Sequence, residues 1–197
     1  KKKSKNKIPN SFNFKNGLSD LTNTIHQNIK DKIRCNSKIT SISRIGNFYE
    51  ITVNNDIKYQ CRKLICTIPA HALSEIIFDK KLSQTLKKIS YCSIYVLHLG
   101  LEKQKIKNDI SGFGVLTKPS DNKNFLGIIF NSRIFPHVAP SEKDLITVMV
   151  GGTRQEELLK TDKDLLFDKI LRDIRKLISY EGRIIMKHDC LWDKGIP

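Results

Sequence analysis

The sequence predicts an α+β protein in which a β-meander with flanking helices precedes a larger mixed sheet with helices. Three observations support this fold class. Three short alternating apolar segments lie close together between residues 38 and 61, with turn signals between them. A long apolar strand pattern begins at Cys92, and an amphipathic helix pattern occupies residues 161–178.

The first part of the chain is predicted to contain helix, meander, buried strand and helix in that order. Apolar residues at three- and four-residue spacing indicate a helix with Ser19 as its N-cap; they are Leu18, Leu21, Ile25, Ile29 and Ile33. The segments "KITSISRI", "FYEITV" and "IKYQC" are predicted strands, the first two joined by a turn at Gly46. The apolar run "KLICTIPA" is typical of a buried strand ending at Pro69, and "AHALSEII" begins the next helix.

The remaining chain is predicted to form the mixed sheet and its helices. "LSQTLKKI" predicts a short helix, while "CSIYVLHLGL", "FLGIIFNS", "DLITVMVGG" and "GRIIMKHDCLW" predict strands. The helix at 161–178 is predicted to have Thr161 as its cap and acidic residues in its first turn.

Charge and cysteine content limit the classes of function. Lys and Arg number 35 against 20 Asp and Glu, a net charge of +15, which by itself favours an RNA or anionic-membrane partner. The lysines are spread along the chain, however, and the aromatic residues lie inside apolar strands rather than beside the bases. A non-catalytic basic module is therefore the second alternative, and no nucleic-acid partner is expected. The five cysteines, an odd number without C-x-x-C spacing, are predicted to be buried free thiols without a metal site.

The stretch "SGFGVLTKPS" nearly matches a dinucleotide-binding fingerprint. Gly112 and Gly114 are present, but Thr117 occupies the third glycine position and Pro119 follows in a loop, so no helix opens there. The glycines instead predict close approach by a neighbouring strand or a flat ligand. We expect "LGIIF" to run nearby and "TVMVGG" to pair with it.

No catalytic side chain can be assigned from the sequence. The five histidines share no metal-ligand spacing, and His98 is expected to be packed or solvent-facing rather than a base. Arg154 is expected to be a solvated turn residue, with anion binding as the alternative. Any chemistry would then be carried by a bound cofactor, with the protein supplying shape.

The motifs together resemble one family. "SFNFKNGLSDLTNTI", "KLICTIPAHALSEII", "GFGVL…LGIIFNSRIFP" and "CLWDKGIP" occur in the order found in flavin-dependent porphyrinogen oxidases of the protoporphyrinogen oxidase type. The resemblance runs from about Ser11 to Pro197. It implies the amine-oxidase fold and oxidation of protoporphyrinogen IX to protoporphyrin IX in haem biosynthesis. Coproporphyrinogen oxidation, or another reaction of the flavin amine oxidases, is the alternative.

The resemblance also implies site residues. Those expected to contact the tetrapyrrole are Phe113, Gly114, Leu116, Leu126, Ile129 and Met149, where Met149 replaces a frequent Phe. Those expected at the FAD cofactor are Ile39, Thr67, Ile68, Pro69 and Trp192. Val138 stands where the family often has Arg, so an anion contact is not expected there. A Gly114→Leu change is expected to block the substrate slot while leaving the fold intact.

The implied organisation is a basic linker at 1–16, part of an FAD-binding domain at 17–78 and a substrate-binding domain at 79–197. The chain is expected to be a central fragment, inactive alone, because the glycine-rich FAD fingerprint of the family would precede it. The implied setting is cytoplasmic, with peripheral membrane association. The implied electron acceptor is oxygen or another oxidant.

Overall fold

The computed structural model describes residues 12–108 and 112–197, which form two compact units. The meander unit comprises residues 24–91, and the sheet unit comprises residues 12–23, 92–108 and 112–196. The division falls after Tyr91, later than the predicted boundary at residue 78. One reason is that the helix following residue 79 packs on the helix before it, where the Ser83 hydroxyl donates to the Ser74 carbonyl at 2.7 Å.

The meander unit contains the three predicted strands in an antiparallel sheet. β1 (Ile39–Ile45), β2 (Phe48–Val53) and β3 (Ile57–Cys61) lie in that order, and Ile42 and Val53 supply its buried apolar side chains. Helices α2 (Ala70–Ile76) and α3 (Lys80–Lys87) follow, both as predicted. The earlier helix α1 (Ser19–Ile29) continues as one 3-10 turn to Lys32. Ser19, predicted as its N-cap, is its first helical residue.

The predicted buried strand "KLICTIPA" is wrong. Residues 63–69 contain no strand, and Ile65 is 88% exposed. An apolar run is typical of a buried strand, but a strand also needs a hydrogen-bonded neighbour. Within the described residues the meander sheet ends at β3, and no strand pairs with 63–69.

The sheet unit is built on a five-stranded sheet. Its spatial order is β5-β6-β7-β4-β8, and its strands are β4 (Cys92–Glu102), β5 (Gly114–Leu116), β6 (Gly127–Ile129), β7 (Lys143–Gly151) and β8 (Ile184–Ile196). The four described pairings are all antiparallel, so the sheet predicted as mixed is antiparallel. The α+β class is confirmed; strand direction depends on chain connections that apolar periodicity does not report.

One face of this sheet packs on helix α5 (Lys163–Ile178), which buries Leu166, Ile170, Ile174 and Ile178 at four-residue intervals. These side chains contact a core of strand residues that includes Leu97, Leu99, Ile128, Ile146 and Val148. Asp162, not the predicted Thr161, caps α5: its carboxylate accepts from the backbone N–H groups of Asp164 and Leu165 at 3.0 and 3.1 Å.

Short connections complete the unit. Helix α4 (Asn131–Ile134) joins β6 to β7, and 3-10 turns occur at Lys103–Lys105, Pro119–Asp121, Pro136–Val138 and Glu156–Lys160. No helix in the described part of the chain is long and apolar enough to cross a membrane.

The cysteines are more accessible than predicted. Cys35, Cys66 and Cys190 are exposed, Cys61 and Cys92 are half-buried, and all five are free thiols. Cys190 lies on β8, an edge strand of the five-stranded sheet, which explains its exposure.

Candidate functional site

The face of the five-stranded sheet that points away from α5 is the candidate site, and we call it the open face. Strand register arranges its side chains in two adjoining rows. The first row runs across the sheet through Leu116, Gly127, Met149, Val96 and Cys190. The second runs through Gly114, Ile129, Thr147, His98 and His188. The open face is therefore largely apolar, with polar groups concentrated in the second row.

Four of the six residues assigned to the substrate lie in these rows: Gly114, Leu116, Ile129 and Met149. They come from three strands, and Leu116 is 83% exposed. Side chains alternate between the two faces of a strand, so residues two apart share a face. The register thus brings these four together, and their contact with a substrate stays a prediction.

The other two assigned residues lie outside the rows. Phe113 precedes β5, where its side chain is 61% exposed and its carbonyl accepts from Phe130 N–H at 3.1 Å. Leu126 precedes β6 and is held by a hydrogen bond from its N–H to the Met149 carbonyl at 2.7 Å. Leu126 Cδ1 lies near Gly152, where a Cβ would stand 3.4 Å away.

Gly114 and Gly127 allow β5 and β6 to approach closely. A Cβ on Gly114 would overlap the Ile128 carbonyl oxygen, and one on Gly127 would stand 2.8 Å from the Val115 oxygen. The predicted close approach is confirmed at Gly114, where the neighbour is a strand, and wrong at Gly112, which has open space around it. The predicted pairing with "LGIIF" and "TVMVGG" is confirmed. The expectation that Gly114→Leu leaves the fold intact is wrong, because any side chain there meets rigid backbone.

A hydrogen-bonded chain crosses the centre of the open face. The Thr147 hydroxyl donates to Asn131 Oδ1 at 2.7 Å, and His98 Nδ1 lies 2.8 Å from Thr147 Oγ1. The ring of His188 stacks beside that of His98 with centroids 6.1 Å apart and planes at 17°. Burial, followed by the charge of His188, lowers the pKa of His98 from its ordinary value. His98 thus favours the neutral imidazole.

Sequence reasoning placed His98 on a strand but missed this chain. Its three hydrogen-bonded members lie on α4, β7 and β4, His188 stacks on His98 from β8, and no local spacing links these residues. The available signal was the alternation of His98 with apolar residues on β4, which placed it on one face with Val96 and Gly100.

Arg154 lies in the turn after β7 and is exposed, as predicted, and it also makes a structural contact. Although the residue is exposed, its guanidinium donates to the Thr117 carbonyl at 2.7 Å and to the Thr117 hydroxyl at 2.9 Å. A cavity of about 510 Å³ adjoins it, between the 118–124 loop and residues 153–158. The lining is mainly polar and includes none of the residues assigned to the substrate.

Comparison with known proteins identifies the family. The model of the flavin containing amine oxidoreductases matches residues 3–188. This chain belongs to that family. Among curated relatives of this amine oxidoreductase chain, protoporphyrinogen oxidase 2 of Arabidopsis thaliana is 30% identical, over 95% of the chain and 40% of the relative. Protoporphyrinogen oxidase of Dictyostelium discoideum is 31% identical, over 95% and 42%. Coproporphyrinogen III oxidase of Bacillus subtilis is 21% identical, over 92% and 39%.

Solved structures show the same fold. A protein from Exiguobacterium sp. 255-15, provisionally named a protoporphyrinogen oxidase, superimposes with a TM-score of 0.75 at 16% identity, over 93% of this chain and 40% of its own. Putrescine oxidase bound to putrescine gives a TM-score of 0.68 at 10% identity, over 88% and 38%. The amine-oxidase fold predicted from the sequence is confirmed. The chain spans about two fifths of the length of these relatives.

The residues assigned to the cofactor of this amine oxidoreductase divide between the two units. Ile39 begins β1 and is 37% exposed, and the exposed residues Thr67, Ile68 and Pro69 follow β3 in the meander unit. Trp192 lies on the open face of the sheet unit, opposite Ile94, and is 58% exposed.

The meander-unit residues fit a flavin nucleotide held by main-chain contacts. Within the described chain, the peptide groups of residues 64–68 form no backbone hydrogen bond, so their donors and acceptors are available. His71 Nδ1, just beyond Pro69, is buried and has no partner in the described chain. An unpaired buried polar atom next to exposed backbone is consistent with a missing polar ligand.

Proposed function

We propose that the protein containing this chain is an FAD-dependent oxidase that converts protoporphyrinogen IX to protoporphyrin IX. The observation that carries the proposal is the meeting of Gly114, Leu116, Ile129 and Met149 on the open face. The similarity to protoporphyrinogen oxidases of Arabidopsis thaliana and Dictyostelium discoideum supports the same substrate class.

The shape and polarity of the open face suit such a substrate. A porphyrinogen is a broad, flexible and mainly apolar macrocycle whose carboxylates lie at one edge. Sites for ligands of this kind are largely apolar with a few placed polar groups. Here Leu116, Ile129 and Val96 supply apolar surface, while Met149 adds a polarizable sulfur that packs well against rings.

The residues of this chain bind and orient the macrocycle and shield one side of it from water. FAD, when bound, would supply the acceptor for the hydride that leaves a bridging carbon of the substrate. Holding the substrate in one orientation supplies a large part of the rate enhancement, since it removes translational and rotational freedom before reaction. In this proposal the exposed backbone at 64–68 and Ile39 hold the flavin nucleotide.

Coproporphyrinogen is the second candidate substrate. The similarity to coproporphyrinogen III oxidase of Bacillus subtilis favours it, and the two porphyrinogens differ only in peripheral groups. The described rows of the open face contact the macrocycle in either case.

Oxygen or another acceptor would reoxidise the flavin, and we place the protein in the cytoplasm with a peripheral membrane contact. The lysine-rich segment at the start of the chain would supply the attraction to an anionic surface. Those residues lie outside the described part of the structure.

The proposal is tested with the complete reading frame that contains this chain. The purified protein is supplied with FAD and, separately, with protoporphyrinogen and coproporphyrinogen, and porphyrin fluorescence is followed against a no-enzyme control. We expect flavin-dependent turnover of one of them. Absence of bound flavin, or flavin without turnover of either porphyrinogen, would overturn the proposal.

A matched pair of variants tests the site. Leu116→Asp places a charge on the open face and is expected to lower kcat/KM by roughly tenfold or more, because an unpaired polar group would face an apolar ligand. Leu165→Asp places the same charge on α5, where Leu165 is also exposed, and is expected to change little. Equal losses of kcat/KM in Leu116→Asp and Leu165→Asp would show that the open face is not the substrate-binding surface.

A further inference from the structure

His98 occupies the middle of the open face. Its row neighbours are Thr147 on β7 and His188 on β8, and Val96 and Gly100 flank it on its own strand. In the two rows that define the face, hydrogen-bonding side chains belong to Thr147, His98, His188 and Cys190. A ligand that covers the face therefore meets an imidazole near its centre, with the polar Thr147 and His188 beside it across the sheet and the apolar Val96 and Gly100 along its own strand.

The hydrogen-bonded chain determines which nitrogen of His98 carries the proton. A threonine hydroxyl has one proton, and that of Thr147 goes to Asn131 Oδ1. Thr147 Oγ1 must then accept from His98, so the proton of the neutral imidazole lies on Nδ1. Nε2 keeps its lone pair. The lowered pKa of His98 is consistent with this neutral form.

We propose that the Nε2 lone pair of His98 accepts hydrogen bonds from the pyrrole N–H groups of a porphyrinogen on the open face, and so distinguishes substrate from product. This inference rests on the proposed function and goes beyond it by assigning a specificity-determining residue. The contact requires no covalent step.

The chemistry of the two macrocycles explains the distinction. The bridging carbons of a porphyrinogen are tetrahedral, so its pyrrole rings tilt and direct their N–H groups out of the mean plane. The product is flat and conjugated, and its inner N–H groups lie in the plane. An acceptor beneath the macrocycle thus pairs with the substrate and loses its partner after oxidation. A buried acceptor left without a donor is unfavourable, which promotes product release.

The groups around His98 define the pH dependence. His188 stacks on it from β8, Cys190 is the next residue on that side of β8, and β7 and α4 present the uncharged Thr147 and Asn131. Arg133 on α4 is paired with Asp144 at 2.5 Å. Protonation at low pH would convert Nε2 from an acceptor to a donor. Substrate affinity is therefore expected to fall as the pH falls through the pKa of His98.

Two variants of His98 distinguish the acceptor role of Nε2 from the contact between Nδ1 and Thr147. His98→Gln places a carbonyl oxygen near the position of Nε2, whereas His98→Asn places polar atoms near Nδ1, within reach of Thr147, and leaves no acceptor at Nε2. In the complete FAD-loaded protein, we expect His98→Asn to raise the dissociation constant of the porphyrinogen roughly three- to tenfold. The inhibition constant of the porphyrin product should fall, because the variant removes an acceptor that the product leaves without a donor. His98→Gln should stay close to wild type, as should His26→Gln on exposed α1.

The outcomes are distinguishable. If His98→Asn weakened the binding of substrate and of product equally, the role of His98 would be overturned and the proposed function would stand. Equal effects of His98→Asn and His98→Gln on the dissociation constant of the porphyrinogen would have the same meaning. A wild-type protein that turns over neither porphyrinogen would overturn both. Nitrogen-15 NMR of the histidine rings gives an independent check that needs no variant: a proton on Nε2 rather than Nδ1 in neutral His98 would overturn the assignment.

Discussion

Gly114 lies so close to Ile128 that a Cβ on the glycine would overlap the carbonyl oxygen of its neighbour. The contact is backbone against backbone, across the antiparallel pair of β5 and β6. Because neither partner is a flexible side chain, the strands must separate to admit even a methyl group. Gly114 is thus required for the sheet edge on which the open face depends.

Gly114→Ala is expected to lower the free energy of unfolding by about 1–3 kcal/mol or to detach β5, since overpacking displaces backbone. Chemical denaturation measures the first outcome, and hydrogen exchange at Val115 measures the second. Gly46→Asn is the control, because Gly46 has open space around it and its φ of 57° lies in the left-handed region that Asn adopts. A stable Gly114→Ala variant with protected β5 amides would contradict the close approach.

Asp162→Ala is expected to lower the free energy of unfolding by about 1 kcal/mol, because two backbone N–H groups of the first turn of α5 lose their acceptor. Thermal or chemical denaturation provides the measurement. Thr161→Ala is the matched control and should have little effect, since Thr161 precedes the observed cap. A larger loss in the Thr161 variant would favour the cap position predicted from the sequence.

The hydroxyl of Tyr95 is expected to ionise well above the normal range. Burial is the largest cause, and the charge of Asp189, its hydrogen bond and the charge of Asp164 add to it, raising the pKa to about 12. Below pH 10 tyrosine is neutral in both folded and unfolded chains, so the contribution of the neutral Tyr95 hydroxyl to the free energy of unfolding is fully present. Between pH 10 and about 12 the unfolded chain releases its proton first, and the free energy of unfolding falls.

Ultraviolet titration of phenolate absorbance against a Tyr95→Phe variant isolates this group. Asp189→Asn should bring the pKa of Tyr95 part of the way back toward 10, because the carboxylate charge is a secondary cause after burial. Normal ionisation of Tyr95 near pH 10 in the wild-type chain would refute its desolvation.

His188→Gln is expected to raise the pKa of His98 part of the way toward 6.5, because burial remains while the charge of His188 is removed. The folded pKa lies below the unfolded value, so the contribution of neutral His98 to stability is present above pH 6.5. It is lost as the pH falls through the folded pKa, since the unfolded chain binds a proton first. NMR titration of the ring protons of the wild-type and His188→Gln proteins measures the pKa of His98. The control variant His26→Gln should leave the His98 titration unchanged.

Elements with strong local patterns were predictable. The periodicity of Leu166, Ile170 and Ile174 gave helix α5, and the alternating segments gave the meander strands. The run at 63–69 shows the limit of the method: its apolar composition indicated a strand, but pairing depends on a neighbour that composition does not reveal. The cap of α5 was misplaced by one residue, because Thr161 and Asp162 are both good capping residues.

Part of the candidate site was predictable in the same way. The motif around Gly114 indicated close strand approach, and the family resemblance gave Leu116, Ile129 and Met149 as substrate contacts, which the register places on one face. Phe113 and Leu126 fell outside the rows, because each lies just before its strand begins. The assignments to substrate and cofactor stay predictions.

The sequence by itself determined the α+β class, most helix and strand positions and the amine oxidoreductase family, since these follow from periodicity and motif order along the chain. Tertiary structure alone decided the antiparallel order of the sheet, the need for Gly114 and the chain from Asn131 through Thr147 to His98 and His188. The physical reason is that strand register sets which distant residues become neighbours, and a single step in register would turn every side chain of a strand to the opposite face.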